Sequence, residues 1–444
     1  MTISFKSILK LFWPIFIANI GVFTLSLVDS LMLAHSNAQH LGLQSIGDTP
    51  ITIVLMIVNG LVQGTLFAAA EYYGQEKYLE VGAIFRNSIK LALYLSLIAI
   101  PLFLLAHPIL ALLNYPSDQN IAAARVMKIL SLSILFSLIY FVCMFFLNGV
   151  QKPRIATEFI IIANLLNAFL NWLLIEGNWG FPAMYSSGVA LSTTIVRIFL
   201  SIGLLLSILF LPQFKKFNII HGKTIVPPKN QQLLGISATI NLLSFEIGIA
   251  FCLFFASHIG LIPAAAFTLS YRIIAMTHLI SVSFAVAAST YIAPLQNHSQ
   301  AMSPIIKTTF FLNNLIIIPL VLLGIAATYP LSQILSNDTN LQKLMSNYLP
   351  FVFIVVFFRC LNSIQIIILR TIYDLLIPSL IYFIAFTIIQ PASVFIIGDW
   401  KLGAGIIISL MVSNIIAVLG LNYRLSPKQL YKKTILDKIP LTNT

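Results

Sequence analysis

The sequence predicts an all-α integral membrane protein with about twelve transmembrane helices in two pseudo-symmetric six-helix lobes. Three observations predict it. Of the 444 residues, 59% are hydrophobic and 9% are charged, with a mean hydropathy of +0.96, whereas soluble domains are about half apolar and a quarter charged. Apolar runs of roughly 20 residues or more, the length a helix needs to cross a bilayer, recur along the whole chain. Lysine and arginine gather in alternate connections, as they do in multi-pass proteins.

The expected spans, numbered 1 to 12, run roughly over residues 8–34, 45–73, 84–107, 124–148, 155–176, 186–211, 233–256, 262–293, 306–331, 344–371, 375–397 and 401–423. Lipid satisfies no backbone hydrogen bond, so only helices or closed barrels cross it, and these long continuous runs exclude the short alternating strands of a barrel. No cleavable signal is expected at the start, because the first run is too long and no small-residue cleavage site ends it.

The connections after spans 2, 4 and 6 hold Lys77, Arg86 and Lys90, then Lys152 and Arg154, then Lys215, Lys216, Lys223 and Lys229. The ends of the chain add Lys6, Lys10, Arg424, Lys428, Lys432, Lys433 and Lys438, while the connections after spans 1, 5 and 7 hold no Lys or Arg. Both termini and the even-numbered connections are therefore expected on the cytoplasmic side. The longest connection sits almost at mid-chain and contains Pro227-Pro228. It divides the chain into an N-lobe at 1–211, a cytoplasmic linker at 212–232, a C-lobe at 233–423 and a basic cytoplasmic tail at 424–444. A weak repeat supports two parallel halves: span 4 ends in Leu147-Asn148-Gly149, and span 10 ends in Leu369-Arg370-Thr371 half the chain length later. That is a transporter architecture.

The net charge of +12 is scattered over short loops and the tail, which argues for topology rather than nucleic-acid binding. Cys143, Cys252 and Cys360 lie singly in apolar runs and are expected to be buried small hydrophobes. No phosphate-binding G-x-x-x-x-G-K-[ST] loop, catalytic metal cluster or Ser/His/Asp set is present, so neither ATP-driven transport nor an enzyme is expected.

Polar residues inside the spans are the candidate functional groups. Glu246 falls mid-way along span 7, where a charge costs about 2.5–3.5 kcal/mol on the most lenient insertion scale. Such an acid faces a partner or a wet cavity, or else is protonated and hydrogen-bonded within the bundle. Asp29 in span 1 is the acid of the first half, or a helix cap near the outer interface. Asn167 and Asn171 of span 5, which also contains Asn164, are four apart and share a face. Their two side-chain carbonyls suit a hard cation or a polar helix contact equally. Span 6 adds Ser192, Thr193 and Thr194, and in span 10 Phe358 and Asn362 again share a face. Arg272 of span 8 is a candidate partner for Glu246 unless it reaches to an interface. Glu71, Arg370 and Asp374 are expected in interfacial ion pairs.

The chain contains Pro14 followed by Asp29-Ser30-Leu31-Met32, and Ala70-Glu71-Tyr72-Tyr73-Gly74 at the end of span 2. It continues with Asn167-Ala168-Phe169-Leu170-Asn171-Trp172, then Gly177, Gly180-Phe181-Pro182 and Gly188-Val189-Ala190-Leu191-Ser192-Thr193, and later Phe245-Glu246. In this order and spacing it resembles the multidrug and toxic compound extrusion (MATE) family, most of all its NorM-like branch. Ala34 and Glu71 stand where that family usually has Gly and Gln.

The resemblance implies a secondary-active antiporter in which a central cavity opens alternately to each side. Organic drugs, cationic or amphipathic, would be exported against an inward flow of H+ or Na+. It implies an N-lobe coupling-ion site of Asp29, Asn167, Asn171 and Thr193, with Asp29 and Asn171 as ligands if the ion is Na+. It also implies a C-lobe polar site of Glu246, Phe358 and Asn362, to which Arg272 is added as the candidate partner of the acid. Asn362 stands where NorM-like proteins usually have Asp. That leaves Glu246 as the sole acid of its lobe and shifts the expected coupling toward Asp29.

The expected setting is the bacterial inner membrane, with no cofactor beyond the coupling ion. The expected partners are small organic substrates and the lipid bilayer, without nucleic acid, and the chain is expected to work as a monomer. The rival reading is a lipid-linked oligosaccharide flippase of the same superfamily, for which Arg197, Arg272 and Arg359 would supply a cationic cavity. A membrane-embedded enzyme lacks a catalytic cluster, and a channel lacks a filter-like segment.

Overall fold

The structure, a computed structural model, describes residues 5–36, 38–105, 117–220, 222, 229–295, 299–335, 339–400 and 403–426. Every regular element among them is helical, and twelve helices are long and apolar enough to cross a membrane, from Phe5–Leu33 to Ala404–Arg424. Helices α1 (Phe5–Ser36), α2 (Ala38–Val62), α3 (Gly64–Gly74), α4 (Tyr78–Leu104), α5 (Ser117–Gly149), α6 (Pro153–Ile175) and α7 (Tyr185–Phe210) make the first six spans. The second span is α2 and α3 together, broken only at Gln63. Pro153 opens α6, where its missing N–H would have had no partner in any case.

The second half contains α8 (Lys229–Ile259), α9 (Leu261–Ile292), α10 (Ser299–Ala326), the short α11 (Thr328–Leu335) and α12 (Thr339–Thr371). It closes with α13 (Leu376–Phe383), α14 (Gln390–Ile397) and α15 (Ala404–Arg424). A π-helical turn, Ile384–Ile389, joins α13 and α14 into one span. It brings its backbone close to α8: a Cβ added at Gly248 would stand 2.6 Å from the carbonyl oxygen of Phe386.

The chain forms two compact units, Ile17–Thr239 and Met1–Phe16 with Ile240–Thr444. Helix α1 changes unit after Phe16 and α8 after Thr239, whereas the sequence placed the division in the mid-chain connection. In the second unit the start of α1 is held by Phe12, stacked on Phe284 at 3.9 Å, and by Tyr291, whose hydroxyl donates to the Ser7 carbonyl at 3.4 Å. In the first unit the start of α8 lies backbone against backbone on the second span. A Cβ at Gly235 would run into the Leu61 carbonyl, and one at Gly64 into that of Gln231, the close approach that small residues permit between membrane helices.

The connection expected over 212–232 is folded at both ends, since α8 begins at Lys229 and a 3-10 turn covers Pro212–Phe217. That turn is anchored: Phe217 is buried 5.6 Å from the ring of Phe146, Arg86 donates to the Asn218 carbonyl at 2.9 Å, and Lys216 lies 4.0 Å above the ring of Tyr78. Its centre at 223–228, with Lys223, and the tail from 427 on, with Lys428, Lys432, Lys433 and Lys438, fall outside the described residues.

Of the charges at span ends, Asp374 makes an ion pair, with Arg424. Asp374 accepts from Arg424 Nε at 2.8 Å and Nη2 at 2.7 Å. Arg370 is buried, because the last two turns of α12 are enclosed by the unit. Glu71 accepts from Gln75 Nε2 at 3.4 Å.

Candidate functional site

Helix α1 carries Asp29, α6 carries Asn167 and Asn171 one turn apart, and α7 carries Ser192 and Thr193. The structure brings these side chains together. Asp29 Oδ1 accepts from Asn171 Nδ2 at 2.6 Å and from Asn167 Nδ2 at 2.9 Å, and Oδ2 accepts from Thr193 Oγ1 at 2.9 Å. Three neutral donors from two helices thus converge on one carboxylate, an arrangement that holds an anion strongly. Asn167 also reaches Ser192 Oγ at 3.3 Å, and Asn171 reaches Asn167 Oδ1 at 3.4 Å. Asn171 Oδ1 is buried and has no hydrogen-bond partner. By contrast, Asn164 is an interhelical tie, donating to the carbonyls of Gly21 at 3.0 Å and Ile160 at 2.8 Å.

The cluster lines two cavities. One of about 270 Å³ is lined by Asp29, Asp48, Tyr140, Asn167, Thr193 and Arg197, among others. Another, of about 300 Å³, is lined by Leu31, Met32, Asn171, Trp172, Ile175 and Glu176. Arg197 donates to Ser133 Oγ at 2.7 Å, and its charge acts on both Asp48 and Asp29. Tyr140 is buried with its hydroxyl unpartnered. Sequence spacing misses Asp48 and Tyr140. The only local signal is Thr52, four residues after Asp48, which donates to its Oδ2 at 3.2 Å.

The C-lobe residues named from the sequence are distributed differently. Glu246 on α8 accepts from Tyr271 of α9 at 3.1 Å. Arg272, the expected partner, is exposed. Successive residues on a helix point about 100° apart, so when Tyr271 faces the acid its neighbour turns away. The cation near Glu246 is instead Arg359 of α12. Its guanidinium lies 3.5 Å above the ring of Phe245 and donates to Tyr382 at 3.3 Å. Asn362 is fully buried and donates to Asn414 Oδ1 at 2.9 Å and to its main-chain carbonyl at 3.2 Å. Phe358 rests against Phe357 with ring centroids 5.4 Å apart.

Both acids, Asp29 and Glu246, lie on segments that match one family pattern, MatE, over residues 14–173 and 238–396. The chain belongs to the MatE family. In this MatE chain Asp29, Asn167, Asn171, Glu246, Phe358 and Asn362 fall inside the matched segments, while Thr193 and Arg197 lie between them. Among curated relatives it is similar to the probable multidrug resistance protein NorM of Bacillus cereus, at 27% identity over 255 residues. That match covers 57% of this chain and 55% of the relative, so the chain spans about half the length of the curated protein it matches.

Its fold is that of solved MATE transporters. An outward-facing multidrug resistance MATE family transporter superposes with a TM-score of 0.84 at 15% identity over 96% of this chain and 97% of that one. The eukaryotic MATE transporter AtDTX14 superposes with 0.82 at 15% identity over 97% and 98%.

Proposed function

We propose that this protein is a secondary-active exporter of the bacterial inner membrane that moves cationic or amphipathic organic molecules outward against an inward flow of H+ or Na+. Both termini then face the cytoplasm, the side given by the Lys- and Arg-bearing connections. The observation that carries this reading is the Asp29 cluster, a carboxylate within the first span held by three neutral donors and bordering a cavity. A proton or Na+ arriving at Asp29 cancels its charge and loosens the three hydrogen bonds by which α6 and α7 hold α1, which biases one conformation over another. For Na+, the unpartnered Asn171 Oδ1 is an available hard oxygen.

Asp29 and Asp48 together outweigh Arg197 in the cavity that the three line. Neutralising Asp29 there weakens the hold on a cationic substrate, and by linkage the substrate weakens the hold on the coupling ion. The names of the relatives, NorM and MATE transporters, support the same activity.

The test is ethidium transport in membrane vesicles under separately imposed Na+ and pH gradients, with the Asp29→Asn variant alongside. Transport that follows a gradient and is lost in the variant is expected. Full activity in Asp29→Asn, or indifference of the unmodified protein to both gradients, would sink the proposal. One observation, the buried guanidinium of Arg359, favours a second reading as a lipid-linked oligosaccharide flippase. Gradient-independent flipping of a fluorescent lipid diphosphate in the same vesicles, without ethidium transport, would put that reading in its place.

A further inference from the structure

A guanidinium inside a membrane needs a counter-charge, because arginine stays protonated and an uncompensated charge there is expensive. Arg359 is 8% exposed and sits near the middle of α12, against the ring of Phe245 and the hydroxyl of Tyr382. Phe245 directly precedes Glu246. Ring contacts of Phe245 with Tyr271 at 6.5 Å and with Phe386 at 5.2 Å, and of Tyr382 with Phe386 at 5.0 Å, close an aromatic frame around the acid and the guanidinium.

The acid that answers Arg359 follows by elimination. Among the described residues of this unit the acids are Glu246, Asp374 and Asp399. Asp374 is bonded to Arg424, and Asp399 lies beyond the end of α14. Glu246 and Arg359 form no direct ion pair; they are linked through Phe245, whose ring lies under the guanidinium and 6.5 Å from that of Tyr271, the donor to Glu246. The other titratable groups of the cluster, Tyr271, His278, Cys360, Tyr382 and Arg370, include no second carboxyl group. Asn362, three residues along α12, is committed to Asn414 and brings no charge.

We propose that Arg359 is the tethered counter-cation of Glu246, occupying in the second half the role that a soluble H+ or Na+ takes at Asp29. Arg359 is then a positioning residue: it keeps Glu246 a carboxylate and leaves one coupling site in the chain. Only the transport consequence rests on the exporter reading, so the deciding test is chemical.

Dicyclohexylcarbodiimide modifies protonated carboxyl groups inside membranes, and peptide mass spectrometry counts the adduct residue by residue. In the purified, detergent-solubilised protein Glu246 should resist labelling at every pH between about 6 and 8, with or without Na+. In Arg359→Gln its labelling should rise about tenfold or more and be suppressed by Na+. Arg359→Lys, which keeps a tethered cation, should label like the unmodified protein. Equal labelling of Glu246 with and without Arg359, high or low, would overturn the proposal. If Arg359→Gln does not fold, Na+-suppressible labelling of Glu246 in the unmodified protein overturns it alone, and resistance there together with resistance in Arg359→Lys supports it. In vesicles, Arg359→Gln should raise the number of cations exchanged per substrate. Loss of all transport in the unmodified protein would count against the exporter reading while leaving the labelling result in force.

Discussion

The two halves of the molecule each place one carboxylate within a span and then surround it in opposite ways. Around Asp29 every hydrogen-bond partner is neutral, two amides and a hydroxyl, and the acid adjoins a cavity that Arg197 also lines. Glu246 accepts from a tyrosine hydroxyl, and the ring of the adjoining Phe245 carries a fixed guanidinium held in an aromatic frame. The neutral shell stabilises whichever charge state the solution dictates, because its amides and hydroxyl can turn either a donor or an acceptor toward the acid. A guanidinium has donors only and cannot change sign. Two acids that look alike in a hydropathy plot are thus suited to different work, one to exchange ions and the other to stay put.

The largest expected effect tests the exchanging half. Asp29→Asn should lower gradient-driven transport by about a hundredfold, corresponding to a few kcal/mol of lost ion binding; comparable losses in Glu246→Gln would erase the contrast. Asn171→Ala, which removes the shortest hydrogen bond to Asp29 and the unpartnered oxygen beside it, should weaken the coupling ion about tenfold, read as a shift in half-saturating Na+ or H+.

In the other half the signature is stability rather than transport. Glu246→Gln should destabilise the folded protein by about 2–3 kcal/mol in thermal melts, somewhat below the range for removing one partner of a contacting buried pair. The double variant Glu246→Gln with Arg359→Gln should recover most of that loss, and failure to recover would show that the two charges are independent. The smallest effect is expected at Asp374→Asn, about 0.5–1 kcal/mol, since its partner Arg424 is partly exposed. A larger value there would mean that the second half depends on charge pairs generally rather than on one resident cation.

How much of this was legible in the sequence follows the range of each interaction. The twelve spans were legible because lipid forces every crossing segment into a long apolar helix. The shared face of Asn167 and Asn171 was legible because helical spacing is local. That this face meets Asp29, 138 residues away from Asn167 in sequence, came only with the family resemblance, since spacing carries no long-range information. Arg359 and Arg272 both sit in apolar runs, and the hydropathy pattern does not distinguish them. Which one approaches Glu246 depends on how α9 and α12 are rotated about their axes, and that rotation is set by packing. Lys216 looked like part of a solvated linker, yet its stem and ammonium lie over aromatic rings.

The π turn between α13 and α14 bears on insertions and deletions. Tyr382, just before it, meets Arg359, and Gln390, just after it, donates to Cys252 Sγ at 3.0 Å. A π turn closes its hydrogen bonds over one more residue than an α turn does. Winding these same residues as continuous α-helix, with none removed, would swing everything beyond them by about 100°, the angle one residue subtends. Tyr382 and Gln390 could not then both keep their partners. The π winding of this segment therefore acts as an angular ratchet setting, and a single-residue deletion that closes it to an α turn should be tolerated better there than at an α-helical position of the same span.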